Sequence, residues 1–161
     1  MLLHEERLMR FIRIPKRAFE LKLTPCAFRV LAHIALRGTC YQKREGIAEE
    51  LGVTVRAIGK SIRALHEFEL ITKVDSPVKN PNRALQVIGG GAFIAMPHRT
   101  VELKNHLDFI VLGYICFLNN KEKKVTSLEI ARISTVGRNT VSSSIRSLQE
   151  LKYIDENKKV C

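Results

Sequence analysis

Long apolar runs are missing from this sequence of 161 residues, and none of its runs approaches the ~18 residues that a membrane-spanning helix needs. The opening segment, MLLHEERLMR, carries charges throughout and lacks the apolar stretch of a secretory signal. Closely spaced cysteine pairs are missing too, which argues against disulfides and against a structural zinc site. The four cysteines are Cys26, Cys40, Cys116 and Cys161. We therefore expect a cytoplasmic protein with reduced thiols and no membrane contact.

Catalytic motifs are missing as well. The sequence contains no Gly-rich phosphate loop, no HExxH pair, no nucleophile elbow and no cluster of carboxylates. Its five histidines are scattered along the chain. We expect no enzymatic activity, no cofactor, no bound metal and no small-molecule ligand.

Acidic residues are few relative to basic ones. The sequence has 16 Asp and Glu against 27 Lys and Arg, a formal net charge of +11. Residues 1–88 hold 16 basic and 9 acidic groups, net +7, and residues 89–161 hold 11 and 7, net +4. Because both halves are basic, the composition favours a polyanionic partner, of which nucleic acid is the commonest.

The sequence contains an internal repeat. FIRIPKRAFELK at 11–22 returns as FIAMPHRTVELK at 93–104, and AFRVLAHI at 27–34 returns as DFIVLGYI at 108–115. A third block, IAEELGVTVRAIGKSIRALHEFELI at 47–71, returns as IARISTVGRNTVSSSIRSLQELKYI at 130–154. The offsets are 82, 81 and 83, so they change only where loops are expected. Two copies of one unit imply two copies of one working surface.

Each copy predicts a similar order of elements. In the first, a β-prone run (11–14) and a basic loop (16–22) precede a helix (25–37) that Thr24 caps and Gly38 ends. A second helix (43–51), a tight turn at Gly52 and a third helix (55–69) capped by Thr54 follow. Two β-prone runs (70–74 and 84–88) around a turn rich in Pro and Asn predict a hairpin.

In the second copy we expect helices at 107–118 and from Ser127 to 133, then a turn (134–136) and a third helix from 137 or 138. Phe109, Leu112, Ile115 and Cys116 are the predicted inward residues of its first helix. A strand that starts at 153–154 leaves room for only a short second hairpin. The glycines at 89–91 predict a hinge between a domain at 1–88 and a domain at 92–161.

The third block resembles the helix-turn-helix core of the winged-helix superfamily, with Ala48 in the second helix, Gly52 in the turn and Ile58 in the recognition helix. The segment at 11–37 resembles the start of winged-helix domains in plasmid and phage replication initiators. The tandem layout resembles accessory DNA-binding proteins of conjugative elements. The second copy departs from the pattern at Ser134 and Thr135. We expect a mainly α fold with small β-hairpins, in which two tandem winged helix-turn-helix domains form an internal pseudo-dimer.

Base readout is expected from the polar face of each third helix, because that helix enters the major groove in helix-turn-helix proteins. Arg56 and Lys60 share a face and suit guanine, Val55 suits a thymine methyl group, and Asn139 suits adenine. The candidates are Thr54, Val55, Arg56, Lys60, Arg63, Arg138, Asn139, Ser142, Ser143 and Arg146. A solvated helix face is the alternative interpretation of these residues.

Contacts to the DNA backbone are expected from basic and amide side chains outside the third helices. The candidates are Lys43, Arg44, Lys79, Asn80, Asn82, Arg83, Lys121, Lys123 and Lys124. Arg17 and Arg99 correspond in the repeat, and they either bind the DNA backbone or brace the two domains together.

The sequence thus predicts a double-stranded DNA-binding protein that reads a bipartite site with two recognition helices about 34 Å apart, one helical turn of DNA. The half-sites form an inverted or a direct repeat. The first copy has the turn glycine and the denser charge, and we expect it to dominate the binding. The role is that of a regulator or accessory factor in transcription, replication or conjugative transfer on a mobile element. The protein is a monomer with an internal pseudo-two-fold axis, and further pairing of two chains is left open. The alternative is a winged-helix module for protein-protein interaction and assembly.

Overall fold

The computed structural model describes residues 11–74 and 84–161, of which more than half are helical. The first repeat begins with a strand and a 3-10 helix. Three α-helices follow, with a short strand between the first and the second, and the two strands of a hairpin come last. These elements are β1 (Phe11–Pro15), the first 3-10 helix (Lys16–Glu20), α1 (Pro25–Arg37), β2 (Thr39–Cys40), α2 (Arg44–Leu51), α3 (Val55–Glu67), β3 (Ile71–Lys73) and β4 (Leu85–Val87).

The second repeat follows the same order without a three-stranded sheet among its described residues. Its elements are β5 (Phe93–Pro97), the second 3-10 helix (His98–Glu102), α4 (His106–Asn120), α5 (Ser127–Ile133) and α6 (Arg138–Glu150). The described residues therefore confirm the mainly helical class with small antiparallel β-sheets that the sequence predicts.

Local signals set the ends of the helices. The Thr24 hydroxyl accepts a hydrogen bond from the Ala27 N–H at 3.2 Å, and Pro25 occupies the first helical position of α1. Gly38 ends α1 with a φ of 71°. Asn105 caps α4 in the same manner as Thr24 caps α1, although the two side chains differ. The beginnings of both helices and the end of α1 thus follow from capping residues visible in the sequence.

The small strands form two antiparallel sheets. β4 is the central strand of a three-stranded sheet, with Leu85 opposite Cys40 of β2 on one side and opposite Lys73 of β3 on the other. The predicted hairpin is therefore present as β3 and β4, and the short strand β2 adds to it. Within residues 11–74 and 84–161, the second sheet consists of β1 and β5.

The β1–β5 pair joins the two repeats about a local two-fold axis. The strands run antiparallel with Arg13 opposite Ala95. These two residues are 82 positions apart and so occupy the same place in the repeated motif. An antiparallel pair in which equivalent residues face each other has a two-fold axis through that point. The repeats therefore meet face to face rather than head to tail.

The first helices of the two repeats pack against each other beside this ribbon. The equivalent side chains Phe28 and Phe109 meet edge to face, with 5.8 Å between their ring centroids. Phe19 of the first repeat packs against Tyr114 and Phe117 of the second, with ring centroids at 5.3 and 4.9 Å. One continuous hydrophobic core results, to which residues of both repeats contribute.

Helix α4 lies at the centre of this core. Every residue from Asp108 to Leu118 is buried, so the four predicted inward residues are buried together with the rest of the helix. A helix that is apolar on all sides is typical of such a central position. The single inward stripe that the sequence predicts is too narrow, because α4 contacts α1, α6 and β5 on different sides.

Arg17 and Arg99 make equivalent hydrogen bonds. The Arg17 guanidinium donates to the carbonyl of Glu69, and the Arg99 guanidinium donates to the carbonyl of Lys152 at 2.7 Å. Both acceptors follow the third helix of their own repeat and have a positive φ, 56° and 61°. Each arginine therefore braces the end of its own third helix and does not brace one domain against the other. The alternative, a contact with the DNA backbone, stays a prediction.

Three further predictions are corrected. The expected basic loop at 16–22 contains a 3-10 helix. The N-cap of α5 is Thr126 rather than Ser127, because the Thr126 hydroxyl accepts from the Glu129 N–H at 3.1 Å. The expected strand at 153–154 is a single bridge between Ile154 and Val160. The division at 89–91 into two domains stays a prediction, and residues on both sides of it share the core.

Substituting Gly113 with alanine should destabilise the contact between the repeats. A Cβ atom there would lie 2.5 Å from Phe28 Cζ, so the core must shift, and we expect a loss of about 1–3 kcal/mol in the free energy of unfolding. Gly91→Ala is the matched control, because its Cβ would meet open space. Urea unfolding measures the free energy of unfolding of both variants. Equal stabilities of the two variants would contradict the contact.

Candidate nucleic-acid interface

The turn between α2 and α3 fixes how the third helix of the first repeat begins. Gly52 ends α2 in the left-handed conformation, with a φ of 68°. The Thr54 hydroxyl then accepts from the Ala57 N–H at 3.1 Å and caps α3. Both residues were predicted in these places, and together they set the direction in which α3 leaves the turn.

The second repeat makes its turn by a different device. Ser134, which corresponds to Leu51 of the first repeat, is buried, and its hydroxyl accepts from the Val136 N–H at 3.1 Å. Thr135 donates to the Leu23 carbonyl of the first repeat at 3.0 Å. The departures from the helix-turn-helix pattern at Ser134 and Thr135 therefore have a structural reason: one side chain closes the turn and the other attaches it to the first repeat.

Each third helix buries one side and exposes the other. In α3 the buried stripe contains Ile58, Ile62 and Leu65, and in α6 it contains Val141, Ile145 and Leu148. All ten side chains predicted for base readout are exposed: Thr54, Val55, Arg56, Lys60, Arg63, Arg138, Asn139, Ser142, Ser143 and Arg146. Each repeat thus presents a polar helical surface, basic in α3 and mixed in α6.

Arg44 lies against α3, which the sequence did not reveal. A Cβ added to the buried Gly59 would come within 3.2 Å of Arg44 Nη1, so the guanidinium occupies the space that the glycine leaves. In the second repeat the equivalent residues are Ser142 and Ser127, whose hydroxyls lie 2.9 Å apart. A glycine in the middle of an otherwise regular helix was the available signal. Arg44 therefore belongs with the polar surface of α3.

The predicted backbone contacts lie partly outside the described residues. Lys43 is exposed at the N-cap of α2, and Lys121, Lys123 and Lys124 are exposed in the turn before α5. The Lys121 ammonium lies 4.3 Å from the centroid of the Phe117 ring. Lys79, Asn80, Asn82 and Arg83 fall in the segment 75–83 and lie outside the described residues.

A buried histidine links α1 to α2. His33 Nε2 lies 2.6 Å from Gln42 Oε1, and its Nδ1 lies 3.5 Å from Glu50 Oε2. Arg37 Nη2 donates to both oxygens of Glu50, at 2.8 and 3.1 Å. Burial lowers the pKa of His33 from 6.5, and the hydrogen bond to Gln42 opposes the shift. This network holds the end of α2, and with it the turn before α3, against α1.

Comparison with known proteins does not identify a relative: no protein-family model, no curated protein and no solved structure matches the chain.

Among the described residues, no helix has the length and apolar character needed to cross a membrane.

Acidification should destabilise the fold. Burial lowers the pKa of His33, His66 and His106 below 6.5, so the unfolded chain binds more protons than the folded chain as the pH falls through this value. The stability that the neutral histidines maintain is present above a pH of 6.5 and is lost as the pH falls towards their folded-state pKa values. Urea unfolding across this range should give a decreasing free energy of unfolding, and a smaller decrease for His33→Gln. A free energy of unfolding that does not change with pH in the wild-type protein would contradict these pKa shifts.

Proposed function

We propose that this protein binds double-stranded DNA through two winged helix-turn-helix units and reads one bipartite site with α3 and α6. The observation that carries the proposal is the presence of two exposed polar third helices in repeats joined about a local two-fold axis. The net charge of +11, distributed over both halves, supports a polyanionic partner. The cytoplasmic location predicted from the sequence belongs to the same proposal.

The element order supports the winged-helix assignment. In the first repeat, α1, β2, α2, α3 and the β3–β4 hairpin succeed one another in the order of a winged helix, with a left-handed Gly52 in the turn. The second repeat repeats the three helices and replaces the hairpin by a tight turn closed at Ile154 and Val160. The first repeat therefore offers both a recognition helix and a wing, and the second a recognition helix alone.

The two-fold relation selects the orientation of the half-sites. Two reading helices related by a two-fold axis approach DNA in opposite directions, and DNA has its own local two-fold axes, so matching half-sites form an inverted repeat. A direct repeat would need repeats related by translation, in which equivalent residues of β1 and β5 would not face each other. We therefore propose an inverted repeat. Its halves differ because α3 presents Arg56 and Lys60 where α6 presents Asn139 and Ser143.

DNA binding itself is tested with random-sequence duplexes. Contacts to several phosphates should make the affinity fall by about 10³–10⁵ between about 50 and 200 mM salt if six to ten phosphates are contacted. Fluorescence anisotropy measures this dependence. An affinity that is absent, or indifferent to salt, would overturn the DNA-binding proposal and favour the assembly module. Selection from a random duplex library then identifies the preferred site, for which we expect unequal half-sites in inverted orientation.

Single substitutions should show which half-site each third helix reads. Arg56→Ala should cost about 1–3 kcal/mol on the selected site and relax base preference in one half, and Arg138→Ala should do so in the other half. Each variant is the matched control for the other, because both remove one exposed arginine near the start of a third helix. Lys43→Ala should instead weaken binding to all sequences about equally. Silent Arg56 and Arg138 variants would refute the assignment of α3 and α6 as reading helices.

The biological role within this proposal is that of a regulator or accessory factor in transcription, replication or conjugative transfer. The positions of the selected sites relative to promoters and replication or transfer origins would distinguish these roles.

A further inference from the structure

The turns that precede the two third helices are held by different contacts. In the first repeat, the Val53 N–H donates to the Ala48 carbonyl at 3.0 Å, and the Thr54 hydroxyl accepts from the Ala57 N–H at 3.1 Å. Both hydrogen bonds join residues that are close in sequence. Helix α3 therefore starts from a turn that its own repeat closes.

The second repeat lacks the equivalent side-chain cap. Gly137 is the N-cap of α6 and makes no side-chain capping bond. The turn before it is closed locally by the Ser134 hydroxyl, and Thr135 donates its own hydroxyl hydrogen to the Leu23 carbonyl of the first repeat at 3.0 Å. The start of α6 thus depends in part on a hydrogen bond that crosses between the repeats.

Leu23 is a firm anchor for this bond. Its side chain is buried, and it immediately precedes Thr24, whose hydroxyl caps α1. Helix α1 packs on α3 as well as on α4. The bond from Thr135 therefore connects the start of α6 to the helix on which α3 rests.

The bond has no counterpart in the first repeat. Thr135 corresponds to Gly52, which has no side chain that could donate. Thr135 is itself exposed, whereas its neighbours Ser134 and Val136 are buried. Because an exposed side chain adds little to the core, the hydrogen bond to Leu23 is the main interaction that the structure gives to this hydroxyl.

We propose that Thr135 is a positioning residue for DNA reading, which rests on the proposed function. Its bond to the first repeat holds the start of α6, with Arg138 and Asn139, at one place relative to α3. Two reading helices at a fixed separation accept one spacing of the half-sites. A single added base pair moves the second half-site by about 3.4 Å along the DNA and rotates it by about a tenth of a turn. Thr135 thus sets the spacing that the protein accepts.

Two variants of Thr135 test this role on the selected DNA site. Thr135→Val keeps the shape of the side chain and removes the donor, so we expect it to weaken binding by about two- to ten-fold, the net effect of one hydrogen bond. Thr135→Ser keeps the donor and should bind as the wild type does. Thr72→Val is the matched control, because Thr72 is also exposed but its hydroxyl donates to the adjacent Lys73 carbonyl. Wild-type affinity in Thr135→Val, or a loss in Thr135→Ser equal to that in Thr135→Val, would overturn the role of the hydroxyl.

The spacing of the half-sites provides a readout that a loss of stability alone would not change. Duplexes with one base pair added or removed between the half-sites should bind the wild-type protein more weakly than the selected site. In Thr135→Val the ratio of the two affinities should decrease, because only the selected spacing uses the fixed position of α6. Fluorescence anisotropy measures both affinities. A ratio that is the same in the wild type and in Thr135→Val would overturn the proposal.

The separation of α3 and α6 can also be measured without DNA. Arg56 and Asn139 occupy equivalent exposed positions in these helices, and a ketone amino acid at both would carry spin labels without modifying the cysteines. Pulsed electron paramagnetic resonance should give a narrow distance distribution in the wild type and in Thr135→Ser, and a broader one in Thr135→Val. Equal widths in the wild type and Thr135→Val would overturn the positioning role. A wild-type protein that binds no duplex would overturn the proposed function and the half-site spacing with it, whereas the distance measurement still decides whether Thr135 positions α6.

Discussion

The contact between β1 and β5, with α1 packed on α4 beside it, is the constraint on which the other features depend. Strands as short as these are not stable alone, and among the described residues β1 and β5 pair only with each other. The pairing opposes equivalent residues, so it also sets the symmetry with which the repeats meet. Helix α3 packs on α1, and helix α6 packs on α4. The symmetry of the first helices therefore extends to the two polar helical surfaces. The proposed inverted-repeat site is a consequence of this arrangement.

The two repeats keep their cores alike and differ at their surfaces. Equivalent residues recur at the centre, as Phe28 and Phe109 do, and in the braces made by Arg17 and Arg99. At the turn, the left-handed Gly52 corresponds to Thr135, which bonds to the first repeat, and the buried hydroxyl of the neighbouring Ser134 closes the turn. Beside the third helices, the Arg44–Gly59 contact is replaced by a pair of serines. Under the proposed function, this pattern fits one architecture that presents two different reading surfaces.

Local features were predictable from the sequence, because short-range chemistry decides them. The cap at Thr24, the stop at Gly38 and the turn at Gly52 all lie where the sequence places them. The apolar residues of α3 and α6 recur at helical spacing and are buried on one side. The exposed side of each third helix follows from the same periodicity. The β-prone character of 11–14 was also visible.

Features that depend on distant contacts were not predictable. Nothing near β1 in the sequence reveals that its partner is β5, and the short strand β2 exists because β4 is adjacent to it. The contact of Arg44 with α3 and the burial of Arg29 need the packed helices to be known. The full burial of α4 has the same cause, since it reflects how many elements surround the helix. Tertiary contacts therefore determine both the symmetry of the repeats and the burial of these side chains.

The two repeats of one chain pair through β1 and β5. Nuclear Overhauser contacts between the backbone protons of Arg13 and Ala95 measure this pairing directly. A sample that mixes isotope-labelled and unlabelled chains separates contacts within one chain from contacts between two. We predict a strong contact between these residues within a single chain. No contact between them, or a contact only between different chains, would contradict this pairing within one chain.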